Sequence, residues 1–337
     1  MKWPTVQIDT LDGVKNAIAP LIISASRATD IPAFHSQWFL HRLSTGFCVW
    51  LNPFNNQKQY ISFENMKAVV FWSKNPAPML ERLDELNRFG FCYYFQFTLN
   101  DYETERFETN VPTLEERIKT FKLLSQKVGK ECVIWRFDPI ILTDRLTCDD
   151  ILSRIRYIGD CLASYTQKLV ISFADIDNYP KVRNNLRLLS TACREPTLSE
   201  MTYLAEEISK AAREWQISVS SCCETIDLNR FAIGHNRCID PNLLLRLTDD
   251  VELTNFLSGP RDHGLLFSES SLNADKLKDK GQRKQCGCVY SKDIGQYSTC
   301  PHHCVYCYAN RSKETVRKNS ITFSSTAESI LAEDRCE

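Results

Sequence analysis

Six short runs of apolar, β-branched and aromatic residues recur through the first two thirds of the chain, at 21–26, 68–73, 91–99, 132–137, 169–174 and 216–222. Their nearly continuous apolar character suits strands covered on both faces, as in parallel sheets. Amphipathic stretches at about 33–45, 77–89, 113–128, 148–164 and 198–215 lie between them and predict helices. The third is the clearest. Leu114, Ile118, Phe121 and Leu124 share one helical face, Pro112 precedes it and Gly129 can end it. Strands alternating with helices imply βα units. The stretch 47–63 breaks the rhythm and reads as a hairpin turning at Asn55-Asn56.

Each apolar run ends in polar residues: "SRATDIP", "SKNPAP", "TLNDYE", "RFDPI", "FADIDNYP" and "CCETIDL". Ligand groups at the ends of all the strands are the habit of a barrel, whereas a doubly wound sheet concentrates its site at one switch point. Neither common nucleotide fingerprint, G-x-G-x-x-G or G-x-x-x-x-G-K-[ST], is present. The expected fold is α/β: a partial (β/α)6 TIM-like barrel over 1–272 with a small inserted β-hairpin. A C-terminal cysteine-rich segment, 273–312, is expected to pack on its mouth, with a tail at 313–337. The polar, basic stretch at 273–285 reads as a solvated loop.

With 337 residues, 43% hydrophobic, 25% charged and a net charge of -1, the chain is an ordinary globular composition with no strong field toward nucleic acid or anionic membrane. No run reaches the roughly 18 apolar residues of a membrane helix. Asp9, Asp12 and Lys15 interrupt the first twenty residues, so no secretory signal is expected and a cytoplasmic location is. Disulfides are rare there, so fifteen cysteines need another explanation.

Three of them fall in "TCPHHCVYCYAN", residues 299–310, with C-x3-C-x2-C spacing. Cys300, Cys304 and Cys307 would also lie on one helical face, capped by Thr299 and opened by Pro301. A zinc site would need a fourth ligand from Cys286, Cys288, His302 or His303. An iron–sulfur cluster is the third reading, and three thiolates would leave one iron open to a small-molecule chelator. A second group, Cys222, Cys223, Cys238, Cys286 and Cys288, lies late in the chain near strand-end loops. Cys238, Cys286, Cys288 and one of the 222/223 pair would suffice for a second cluster or a zinc ion. Strand alternation would turn only one of Cys222 and Cys223 inward. Cys48, Cys92, Cys132, Cys148, Cys161 and Cys193 stand singly and read as packing residues, and no role is read for Cys336.

The loop "CPHHCVYCYA" resembles the C-x3-C-x-aromatic-C loop of radical S-adenosylmethionine (SAM) enzymes, the spore photoproduct lyase branch in particular, with Tyr306 as the aromatic. That superfamily carries its loop after the first strand, whereas here it follows all six runs. The stretches "IISASRATDIPAFHSQWFLHRL", "VFWSKNPAPML", "FQFTLNDYE", "VIWRFDPII" and "CGCVYSKDIGQYSTCPHHCVYCYAN" resemble the family called domain of unknown function number eighteen forty-eight, over residues 22–310. The resemblances imply a [4Fe–4S] cluster on Cys300, Cys304 and Cys307, SAM on the open iron and a 5′-deoxyadenosyl radical that abstracts hydrogen. They also imply a flavodoxin- or ferredoxin-type electron donor. They raise nucleic acid as a substrate, against which the near-neutral charge argues. For the displaced loop to work, the tail must cross the open side of the barrel and bring the cluster over the strand ends.

Polar residues at those ends complete the candidates. Arg27 can hold a carboxylate or pair with Asp30 at the next helix, and Arg136 and Asp138 can contact SAM or bridge each other. Ser24, Lys74, Tyr308 and Asn310 are further cofactor-binding candidates beside Tyr306. Glu224, Arg27 and Asp30 are the candidate catalytic groups. Two non-catalytic alternatives stand beside the enzyme: a zinc-stabilised binding module and an iron–sulfur electron-transfer protein.

Overall fold

A computed structural model of the chain describes residues 2–189, 191–258 and 276–332. The boundary expected near 272, the first residues of the polar stretch at 273–285, and Cys336 lie outside them.

The chain opens with strands β1 (Thr5–Thr10) and β2 (Gly13–Ile18), then β3 (Ile22–Ala25) and helices α1 (Ile31–Phe34) and α2 (Ser36–Thr45). A hairpin of β4 (Phe47–Leu51) and β5 (Lys58–Ser62) leads to β6 (Ala68–Ser73), helices α3 (Ala77–Leu80) and α4 (Leu83–Asn87), and β7 (Cys92–Thr98). Next come α5 (Leu114–Val128), β8 (Val133–Ile140), the short β9 (Leu142–Thr143), α6 (Cys148–Leu162) and β10 (Lys168–Phe173). Helix α7 (Pro180–Arg187), β11 (Cys193–Arg194), α8 (Leu198–Trp215), β12 (Ser218–Ser221) and β13 (Gly234–His235) follow. The described chain closes with α9 (Pro241–Leu247), α10 (Val251–Ser258), β14 (Lys292–Asp293) and α11 (Lys313–Thr322).

The expected βα units are there. Strands β3, β6, β7, β8, β10 and β12 follow one another in space as in sequence, every neighbouring pair parallel. No reversal of strand order interrupts them, so the sheet has no doubly wound switch point. The sheet has eight strands among the described residues, not six. The two-residue strands β13 and β14 extend its two edges, beside β12 and β3. Strands that short carry no periodicity for a sequence reading to detect. The two edges are not paired with each other among the described residues, so the architecture is a mixed α/β fold around an open parallel sheet.

The hairpin at 47–63 forms as expected, with Leu51 opposite Lys58 and Asn56 at positive φ in the turn. It joins an unforeseen partner: β1 and β2, themselves a hairpin, complete a second sheet in the order β1-β2-β5-β4. The Asp12-Gly13 turn between two alternating runs was the available signal.

Alternation divides the large sheet's side chains between two cores. Val69, Phe71, Phe95, Phe97, Trp135 and Ile171 face the layer of α2, α5, α6 and α8. Capping boxes start the last three of these helices, at Thr113/Glu116, Thr147/Asp150 and Thr197/Glu200. Helices α6 and α8 approach closely at Gly159, where an added Cβ would meet the Trp215 ring at 2.2 Å. The opposite face presents Ile22, Val70, Tyr94, Ile134 and Val170, covered by Cys238, Leu243, Leu253, Cys288 and Val289 from the last third of the chain. Toward the strand ends this face turns polar, with Ser24, Gln96, Arg136 and Ser172. The C-terminal third therefore lies across the sheet, and its cysteines come with it.

Candidate metal centre

The loop carrying Cys300, Cys304 and Cys307 begins at β14. Because β14 pairs in parallel with β3, with Asp293 opposite Ser24, the loop leaves the sheet edge beside the end of the first core strand. Asp293 fastens this junction: one carboxylate oxygen accepts from Ser24 Oγ at 2.6 Å and from the Arg27 amide at 2.9 Å. Gly295 sits so close to β3 that an added Cβ would fall 1.9 Å from Ser26 Oγ. The helical-face reading of the three cysteines does not hold, since 299–311 is a series of turns with no helix.

Two buried clusters pin the loop. Asp30 accepts four hydrogen bonds, from Ala33 N and Ser73 Oγ on one oxygen and from Lys74 N and His302 Nε2 on the other. It caps α1, as one reading expected, but it is His302 of the loop, rather than Arg27, that meets it at 2.8 Å. Glu108 centres the second cluster. Lys74 Nζ donates to it at 2.7 Å, Asn100 Nδ2 at 3.0 Å, and Tyr306 Oη donates to the same oxygen, while Arg117 lies 3.5 Å from the other. Burial alone would raise the Glu108 pKa. Lys74 and Arg117 outweigh it and hold the carboxyl down at about 2. Backbone contacts finish the clamp: Val305 N donates to Phe107 O at 2.8 Å, and Glu108 bridges Cys304.

The three loop thiols are half-buried and free of disulfides. Cys304 feels the charge of Cys300 and Cys307, and Cys300 that of Cys307. Burial pushes the Cys300 thiol up to about 12, with Asp30 adding to it, and lifts Cys304 further against the pull of Lys74. Asn310 donates to Cys300 O at 2.8 Å and leaves its own Oδ1 buried without a partner. Tyr308 is 48% exposed, its hydroxyl 3.2 Å from Arg27 O, its ring beside Tyr179.

The remaining late cysteines converge separately, against the other face of the sheet. Cys238 lies 3.5 Å from Cys222, sulfur to sulfur, and hydrogen bonds continue the chain from Cys222 to Cys223, Cys286, Cys288 and back to Cys238. The alternation argument for Cys222 and Cys223 fails here because β12 ends at Ser221 and Cys223 turns to positive φ, so both side chains join the ring. Hydrogen bonds from Cys223 and Cys288 bring the Cys286 thiol down to about 3 despite its burial, and Cys222 and Cys288 act likewise on Cys238. Arg136 Nη1 donates to Cys238 Sγ at 3.1 Å and also pairs with Asp138, which is the bridging arrangement of that pair. Arg27 stacks over Trp72, reaches Cys288 and keeps Nη2 without a partner. Among the described residues no three His, Cys, Asp or Glu side chains are placed around a single metal ion.

Glu224 stands near this ring, its Oε1 accepting from Phe173 N at 2.8 Å. Burial, reinforced by Asp138, raises its carboxyl to about 7. A cleft lined by Lys67, Cys92, Phe63 and Asp250 opens at the starts of β6 and β7, the opposite end from the thiols, and none of the expected site residues lines it. The residues missed by sequence reading are Asn100, Glu108, Arg117 and Asp293, and His302, weighed there as a zinc ligand, instead meets Asp30. Glu108 is one of three glutamates between 103 and 108, a stretch outside any regular pattern, so nothing local singled it out.

Fold and site thus define a mixed α/β protein that carries a cysteine loop over the ends of a parallel sheet and a second thiol group against the sheet's face. The chain belongs to the family described as Domain of unknown function (DUF1848), whose model matches residues 22–309. No curated protein matches it. Among solved structures it is similar to a putative alpha-L-fucosidase from Bacteroides thetaiotaomicron VPI-5482, 11% identical over 54% of this chain and 71% of that one, with a TM-score of 0.24. That score is too low to carry an argument about fold or activity. No helix among the described residues is long and apolar enough to cross a membrane.

Proposed function

We propose that this chain is a radical SAM-type iron–sulfur enzyme on an incomplete (β/α) barrel, with Cys300, Cys304 and Cys307 holding a [4Fe–4S] cluster at its mouth. The observation that carries the reading is the clamp: a three-thiol loop fastened through Asp30 and Glu108 to the ends of β3, β6 and β7. The sequential, unreversed strand order supports the barrel. The donor set fits a cluster with one iron left free, and with SAM there the group supplies a 5′-deoxyadenosyl radical for hydrogen abstraction.

The protein's own part is positioning. Asp30 and His302 fix the loop's first turn, and Glu108, Lys74 and Tyr306 fix its second. Tyr306, Lys74, Ser24, Arg136 and Asp138 are already committed to partners on the protein, so they orient rather than contact a ligand. Arg27 and Asn310 retain unpaired polar atoms, and Tyr308 retains an exposed ring, so these three are the groups for bound SAM. Arg27 suits a carboxylate. Glu224, with a pKa near 7, can take or give a proton near neutrality.

Purification without oxygen, metal and sulfide analysis, and incubation with SAM and a reductant test the reading. Iron with matching sulfide and release of 5′-deoxyadenosine are expected, and alanine at Cys300, Cys304 and Cys307 should abolish the release. Stoichiometric zinc without sulfide at these three cysteines would identify a binding module instead. A reducible cluster that leaves SAM intact would identify an electron-transfer protein.

A further inference from the structure

We infer that Cys238, Cys286, Cys288 and one of the adjacent pair Cys222/Cys223 hold a second [4Fe–4S] cluster, independent of the one proposed at Cys300, Cys304 and Cys307. Five thiols from three separate stretches meet in one buried cluster, with Cys222 and Cys238 3.5 Å apart, sulfur to sulfur. A core that used cysteine only as a small apolar filler would scatter these side chains, as it scatters Cys48, Cys148 and Cys161.

The surroundings are arranged for anionic sulfur. Arg136 Nη1 and Asn236 Nδ2 donate to Cys238 Sγ at 3.1 and 3.2 Å, and Ile239 N donates to Cys288 Sγ at 3.4 Å. Donors aimed at ligand sulfurs are the means by which proteins stabilise and tune iron–sulfur centres. Arg27 and Arg283 add positive charge at Cys288 and Cys223. Four thiolates on one centre need such compensation, since buried charge is costly without it.

Zinc would take four of these thiols at about 2.3 Å from one point, and iron and sulfide analysis of the loaded protein separates that occupant from the cluster.

The test uses the full chain reconstituted with iron and sulfide without oxygen. The wild type should carry about eight irons, and the triple variant C300A/C304A/C307A about four with matching sulfide and a paramagnetic signal on reduction. The double variant C238A/C288A should also keep about four. Loss of all iron from the triple variant, no loss from the double variant, or one zinc in place of iron and sulfide would overturn the inference. Alkylation of the loaded wild type, read by mass spectrometry, guards against a variant that misfolds. Cys238, Cys286 and Cys288 should resist labelling until a chelator strips the iron, and equal labelling before and after would also overturn it. A triple variant with as much iron as the wild type would remove the first centre and leave the second standing.

Discussion

Asp30 and His302, 272 residues apart in sequence, share a buried hydrogen bond of 2.8 Å. Asp30 follows the first core strand and His302 sits inside the cysteine loop, so this one contact joins the start of the sheet to the end of the chain. Because β14 has added itself beside β3, a loop that comes last in sequence is placed next to the strand that comes first in the sheet.

Replacing His302 by alanine should strip one partner from a carboxylate that is only 5% exposed. The same oxygen keeps Lys74 N, so what is lost is one hydrogen bond to a charged group, about 1.5–3 kcal/mol. Denaturant titration of H302A should show a loss in that range, and reconstituted H302A should bind less iron at Cys300, Cys304 and Cys307. Unchanged stability and iron would mean that the bond does not hold the loop.

Glu108→Gln would leave Lys74 and Arg117 buried around a neutral amide. The wild-type carboxyl, held at about 2 against an ordinary 4.5, stabilises the fold at every pH above 4.5 by about 3 kcal/mol. That advantage should fade as pH falls from 4.5 toward 2, so the stability gap between wild type and E108Q should close over this window. A gap that stayed constant through acidification would refute the assignment of the charge to Glu108.

Gly295→Ala touches no thiol, yet its Cβ would collide with Ser26 Oγ and Cβ at 1.9 and 2.5 Å. Part of this contact is main-chain-anchored, so the loop must shift away from β3. Overpacking of this kind costs about 1–3 kcal/mol. G295A should melt lower and retain less iron than the wild type, whereas Gly→Ala at Gly234, where an added Cβ meets nothing within 4 Å, should spare the iron content.

Glu224 gives a pH dependence of the opposite sign to Glu108. Its carboxyl is raised to about 7 from 4.5, so the folded state prefers the protonated form. Stability should decline as pH rises from 4.5 through 7, by at most about 3 kcal/mol, and E224Q should abolish that decline. If Glu224 also handles a proton in catalysis, the pH–rate profile should bend near 7 in the wild type and lose that bend in E224Q. Parallel stability curves for the two proteins between pH 4.5 and 7 would show that the group is not perturbed.

The strand–helix rhythm was legible because its signals are local. The run at 68–73 and the helix at 198–215 appear at the residues expected, since alternation, amphipathic spacing and capping residues such as Thr197 act within a few positions. The hairpin of β1 and β2 carries a local signal too, the Asp12-Gly13 turn. Grouping of the late cysteines could be suspected from their position in the chain, and the C-x3-C-x2-C spacing marked the loop.

What the sequence by itself determined, then, is which segments become strands and helices and which cysteines are clustered along the chain. Only the tertiary structure decided where those clusters stand and what holds them. Cys288 meets the Ile239 amide across 49 residues, and Tyr306 meets Glu108 across 198. Contacts of such separation depend on how the whole sheet orders its strands and which segment covers its second face. Long-range packing sets that order, and no short window of sequence contains it.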